Sequence, residues 1–108
     1  MAGRAPLVIV AGAGAGRGQA LLKRFEVGGF IPVGLGRSTP EAPVGAFHKL
    51  DLADENAMPP TIAAIIAEHG APSVVIHNAA ELVIRPFEDG HLSDYQRCWA
   101  SMVQSAIL

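Results

Sequence analysis

Leu7-Val8-Ile9-Val10 runs directly into Ala11-Gly12-Ala13-Gly14-Ala15-Gly16-Arg17-Gly18, and that stretch into Gln19-Ala20-Leu21-Leu22-Lys23-Arg24-Phe25. An apolar, partly β-branched run reads as a strand covered on both faces of a parallel sheet. A glycine-rich turn followed by a helix aims backbone N–H groups and a positive helix terminus at a phosphate. Glycine is needed there because a Cβ would hold a pyrophosphate away from the backbone. The spacing G-x-G-x-x-G fails twice, since position 17 is Arg and position 19 is Gln. What fits is G-x-x-x-G-x-G on Gly12, Gly16 and Gly18, with Gly14 between them.

Outward from this stretch, the chain alternates strands and helices. The first helix is expected from Arg17 to about Val27, with Leu21, Leu22 and Phe25 on one side and Gly28-Gly29 as its left-handed stop. Phe30–Leu35 reads as a second strand despite Pro32, which removes a ladder donor. A third short strand covers Ala46–Leu50. Asp54 is placed to cap a helix whose firm part is Thr61–His69, with Ile62, Ile65 and Ile66 as its buried stripe and Gly70 and Pro72 as its stop. Ser73–His77 is the fourth strand. Ser93 and Gln96 form a capping-box pattern for a last helix carrying Tyr95, Trp99, Met102, Val103, Ala106 and Ile107 along one face. Such alternation specifies parallel βαβ units with right-handed crossovers.

Composition narrows the class. The chain has 108 residues, half of them hydrophobic, which suits one small folded unit or a portion of a larger one. A net charge of −2 with no basic cluster argues against a nucleic-acid partner. Arg4 before an apolar run imitates a signal peptide, but the run is short and enters the glycine turn, so it is a strand. No stretch is long enough to span a membrane, and a cytoplasmic protein is expected. The single cysteine, Cys98, gives no disulfide framework and reads as a small buried hydrophobe. His48, His69, His77 and His91 lack ligand spacing, so no metal site is expected. A P-loop is disfavoured because no Lys-Ser or Lys-Thr follows the glycines.

With these residues in place, the chain resembles the N-terminal half of the short-chain dehydrogenase/reductase family along nearly its whole length. The family's T-G-x-x-x-G-x-G loop corresponds to Ala11–Gly18 and its N-N-A-G element to His77-Asn78-Ala79-Ala80. Its adenine-contacting Asp-x corresponds to Asp51-Leu52. The resemblance implies an α/β fold, a Rossmann-type parallel sheet reduced to strands 3-2-1-4 with flanking helices. It implies that residues 1–108 are the NADP(H)-binding portion, the catalytic C-terminal half being absent. The cofactor contacts it implies are Gly12, Gly14, Gly16, Gly18, Asp51, Leu52, Asn78, Ala79 and Ala80. Arg17 stands where the family has an aliphatic residue; it either reaches the pyrophosphate or snorkels to water.

At the end of the second strand, where an acid would accept from a ribose 2′-OH, stand Gly36, Arg37 and Ser38. Arg37 can fork onto a 2′-phosphate and Ser38 can donate to it, which favours NADP(H) over NAD(H). Met102 aligns with a catalytic-network Asn of the family and reads as helix core. The family's Tyr-x-x-x-Lys acid–base pair has no counterpart: the only tyrosine is Tyr95, followed four residues on by Trp99, and the lysines are Lys23 and Lys49. The implied role is therefore the dinucleotide-binding half of an NADP(H)-dependent oxidoreductase acting on a small carbonyl or alcohol, with these 108 residues inactive alone. The alternative is a non-catalytic nucleotide-binding or scaffold protein of the same fold, and a Tyr-x-x-x-Lys downstream of Leu108 would separate the two. The family's last helix here packs on its counterpart in a second subunit, implying a homo-oligomer.

Overall fold

The computed structural model describes residues 5–14, 16–79 and 85–107. Strands β1 (Leu7–Ala11), β2 (Ile31–Gly36), β3 (Ala46–Lys49) and β4 (Val74–His77) form one parallel sheet in the order β3-β2-β1-β4. Helices α1 (Arg17–Val27) and α2 (Met58–His69) flank it, and a single 3₁₀ turn covers Phe87–Asp89. Helix α3 (Leu92–Trp99) runs through a π-helical turn (Ala100–Gln104) into α4 (Ser105–Ile107).

β1 is buried from end to end because its two sets of side chains enter different cores. Leu7, Ile9 and Ala11 join Val33, Leu35, Met58 and Ile65 under α2. Val8 and Val10 join Leu22 and Ala13 under α1, with Leu21, Phe25, Val44 and Phe47 packed around them. Burying side chains of this size contributes roughly 1.5–3 kcal/mol each. β1 therefore anchors the sheet, and its C-terminal end is fixed where the glycine turn begins.

β2 lies one residue later than the sequence suggests. The Phe30 N–H is taken by the Phe25 carbonyl, closing the end of α1, and the two rings pack edge to face at 5.0 Å. Pro32 is tolerated inside the sheet for a geometric reason. Ile31 donates to the Pro6 carbonyl, so position 32 faces away from β1, toward a side where pairing with β3 starts only at Val33. Gly45, at φ 72°, passes so close to the Pro32 carbonyl that a Cβ would overlap it. Residues 37–45 connect β2 to β3 without a helix.

Five further expectations need correction. α2 starts at Met58, because Asp54 organises the preceding turn: its carboxylate accepts from the Asn56 and Ala57 N–H groups and its carbonyl from Met58. The buried face of α2 is Met58, Ile62 and Ile65, while Ile66, a step of about 100° further round, is exposed. Asp94 rather than Ser93 sets the start of α3; its carboxylate accepts from the His91 N–H at 3.0 Å, so the helix begins at Leu92. The last helix widens into a π-helical turn at Ala100–Gln104, where Met102 is an exposed side chain rather than core. Cys98 is half-buried, not buried.

Gly28 ends α1 at φ −80°, and the left-handed residue is Gly29 at φ 93°. β4 is the sheet edge, with Val75 62 % exposed. Trp99, Val103 and Ile107 are exposed as well. Among the described residues, no helix is long and apolar enough to cross a membrane.

Candidate functional site

The C-terminal ends of β1, β2 and β4 meet around a cavity of about 390 Å³, within the range of small-molecule sites. Gly12 and Gly14 form one wall, Gly36, Arg37 and Ser38 a second, Asp51 and Leu52 a third, and Asn78 and Ala79 a fourth. The reversal of direction from β2 on one side of β1 to β4 on the other creates this crevice.

The glycine turn is pinned at its start, since the Gly12 and Ala13 N–H groups both donate to the Leu35 carbonyl, at 2.8 and 2.9 Å. Gly12 adopts φ 93°, and a Cβ there would lie 2.6 Å from the Ala79 nitrogen. Gly18 lies beneath the turn, where a Cβ would overlap the Gly12 carbonyl oxygen and sit 2.6 Å from the Ala13 Cα. Gly14 and Gly36 face each other: a Cβ on Gly36 would be 3.2 Å from the Gly14 nitrogen. These absent side chains bring bare backbone to the cavity wall.

Gly16 is the N-cap of α1 at φ 59°. No side chain caps this helix and no acid occupies its first turn. Its leading N–H groups and positive terminus are thus left for an anion. Arg17 is the first helical residue and points to solvent, outside the cavity wall. Gly16 and Gly18 also lie outside that wall, one at the helix start and the other beneath the turn. Ala80 lies outside the described residues.

The fourth wall is tied to the first. Asn78 donates its Nδ2–H to the Gly12 carbonyl at 3.1 Å, and its backbone N–H donates to the Ala11 carbonyl at 2.7 Å. Asp51 lines the cavity while its Oδ1 accepts from the Ala53 N–H at 2.9 Å, holding the chain in a tight turn after β3. Leu52 is buried in the α2 core as well as lining the cavity, so it has a packing role in addition.

Two lining residues escaped the sequence reading. Gly36 was noted only for the acid it replaces, and Ser101 sits on the π-helical turn, which no sequence signal marks. That turn also places the Met102 carbonyl 3.1 Å from His77 Nε2, and Ser105 Oγ lies 3.3 Å from the same nitrogen. A carbonyl only accepts, so Nε2 carries the hydrogen and cannot act as a base toward Ser105. Ser105 gives its own proton to the Ser101 carbonyl. This is a strand-to-helix tie rather than a nucleophile pair.

Among the described residues no group of three or more His, Cys, Asp or Glu is arranged to hold a metal ion. The Asp94 carboxyl is held below its ordinary pKa. It is lowered by the His91 backbone N–H, against an opposing effect of burial, with Arg85 and Arg97 helping. It lies outside the cavity wall and serves the start of α3.

The chain matches no protein-family model. It is 33% identical over 75 residues to a short-chain dehydrogenase/reductase of Cryptosporiopsis sp. (strain 8999), across 68% of this chain and 30% of that protein. Its fold superposes on the ligand-free aldohexose dehydrogenase of Thermoplasma acidophilum with a TM-score of 0.89 at 24% identity, over 96% of this chain and 41% of that one. A short-chain dehydrogenase from Leptospira borgpetersenii with bound NAD+ gives 0.87 at 15% identity, over 96% and 42%. One from Bacillus anthracis gives 0.84 at 21%, over 96% and 46%. The chain thus spans less than half the length of each of these proteins.

Proposed function

We propose that this chain, which belongs to the short-chain dehydrogenase/reductase family, binds a nicotinamide dinucleotide in the crevice at the ends of β1, β2 and β4, with NADP(H) preferred over NAD(H). The observation that carries the reading is the cradle itself. A Cβ on Gly12 would collide with the end of β4, and Gly14 and Gly36 leave bare backbone between the turn and β2. Beside it stands a helix N-terminus with no capping side chain and no acid. These features suit a pyrophosphate.

The Gly12–Gly14 turn and the start of α1 would hold the diphosphate, Asp51 and Leu52 the adenine side, and Asn78 and Ala79 the floor. Arg37 and Ser38 lie on the wall after β2, where Gly36 offers no acid to a ribose hydroxyl. A guanidinium and a hydroxyl there favour a 2′-phosphate. When bound, the nicotinamide supplies or takes a hydride in exchange with a small carbonyl or alcohol. This chain's part is to bind and orient the cofactor. Its only tyrosine, Tyr95, lies on α3, away from the cavity wall, so the 108 residues are expected to carry out no hydride transfer alone. Cytoplasmic location and association through the α3–α4 face belong to the same proposal.

Titration calorimetry with NADP+ and NAD+ tests it. Tighter binding of NADP+ is expected; equal affinities remove the preference, and no binding of either removes the cofactor reading. Reduction of carbonyls by a monodisperse, monomeric 108-residue chain with NADPH would overturn the assignment of chemistry elsewhere.

A further inference from the structure

The sequence reading passed over Gln19, a polar residue on an otherwise ordinary helix, but the structure joins two walls of the crevice through its side chain. Its Nε2 donates to the Ala13 carbonyl of the glycine turn at 2.5 Å. Its Oε1 accepts from the Val44 N–H at 2.9 Å, at the far end of the connection that begins with Arg37 and Ser38. The amide orientation is fixed by this pairing, because a flipped amide would set oxygen against a carbonyl and NH₂ against an N–H. The side chain is half-buried, so water competes poorly for either bond.

The clasp matters because of what β2 and β3 lack. Residues 37–45 cross between parallel strands with no helix to order them, and the Val44 side chain packs into the α1 core. Gln19 thereby ties the exit of this connection to the turn, while Gly14 approaches the Ser38 carbonyl at its entrance. We infer that Gln19 is a positioning residue for nucleotide binding, setting the distance between the glycine turn and the 37–45 connection by bridging Ala13 and Val44.

The inference rests on the cofactor reading above. Its test uses the full chain as wild type, Gln19→Met, which keeps length but loses both bonds, and Gln19→Asn, which is too short to span both partners. Losing two hydrogen bonds predicts about tenfold weaker NADP+ binding in Gln19→Met. Hydrogen exchange supplies the readout that a merely structural role would not move. NADP+ should slow exchange of the Val44 amide, which lies outside the cavity wall, in the wild type but not in Gln19→Met. Thermal unfolding run alongside identifies a variant that fails to fold; Gln19→Asn then decides by the same two measurements. Affinities within about twofold of wild type, or persistent NADP+ protection of Val44 in the variants, overturn the inference while the cofactor reading stands. A wild type that binds no dinucleotide overturns both.

Discussion

Asn78 holds Gly12 from two directions. Its side-chain amide donates to the Gly12 carbonyl at 3.1 Å, and its own carbonyl carbon lies 2.7 Å from where a Cβ on Gly12 would be. The first turn of the chain and the end of the edge strand, 66 residues apart, are thus in backbone contact. Whatever enters the crevice meets a floor made by this contact.

Gly12→Ala therefore affects the fold as well as binding. At φ 93° and against the Ala79 backbone, the new methyl group is expected to cost about 1–3 kcal/mol. Urea unfolding should show that loss, and calorimetry should show nucleotide binding lost with it. Unchanged stability in Gly12→Ala would contradict the close approach of the turn to β4.

Arg37→Ala separates the two cofactors. If the guanidinium meets a 2′-phosphate, its removal costs about 1.5–3 kcal/mol, roughly tenfold to over a hundredfold in NADP+ affinity. NAD+ affinity should barely change. Parallel losses for both cofactors would assign Arg37 to general packing of the β2–β3 connection.

Asp94 gives the fold an acid-sensitive element. Its carboxyl is held below the ordinary value of 3.8 by the His91 N–H and by Arg85 and Arg97, the last at 2.7 Å. A carboxyl lowered on folding adds stability that is fully present above the unfolded value and disappears as pH falls through the folded one. The unfolding temperature of wild type should exceed that of Asp94→Asn at pH 7, and the gap should close progressively below pH 3.8. A gap independent of pH would show that shape, not charge, is what Asp94 contributes.

The α3–α4 face predicts self-association. Trp99 and Ile107 are 55 % and 75 % exposed, with Val103 between them. Apolar groups grouped in this way mark an interaction surface. Sedimentation velocity should show a concentration-dependent dimer or larger species in the wild type, and a monomer in Val103→Lys combined with Ile107→Lys. A monomer at every wild-type concentration would remove the homo-oligomer from the proposal.

The sequence by itself determined the alternation of strands and helices and the central place of β1, while the strand order 3-2-1-4 was implied by the family resemblance. Leu7–Ala11 is apolar at every position because both faces of β1 are covered, and a central parallel strand is the arrangement that uses such a run. The glycines at 12, 14, 16 and 18 stood out because local chemistry demanded them before any partner was known. Arg37 and Ser38 were legible through their place at the end of the second strand, whereas Asp51 and Asn78 were implied by the family resemblance. What only the tertiary structure decided lies in contacts between distant segments. The clasp of Gln19 on Ala13 and Val44, the tolerance of Pro32 and the capping of α3 by Asp94 depend on which backbone groups arrive opposite each side chain. The π-helical turn that brings Ser101 to the cavity and the Met102 carbonyl to His77 is of the same kind. Periodicity records which face of an element is apolar, but hydrogen-bond partners far along the chain are set only when the sheet closes and brings them within reach.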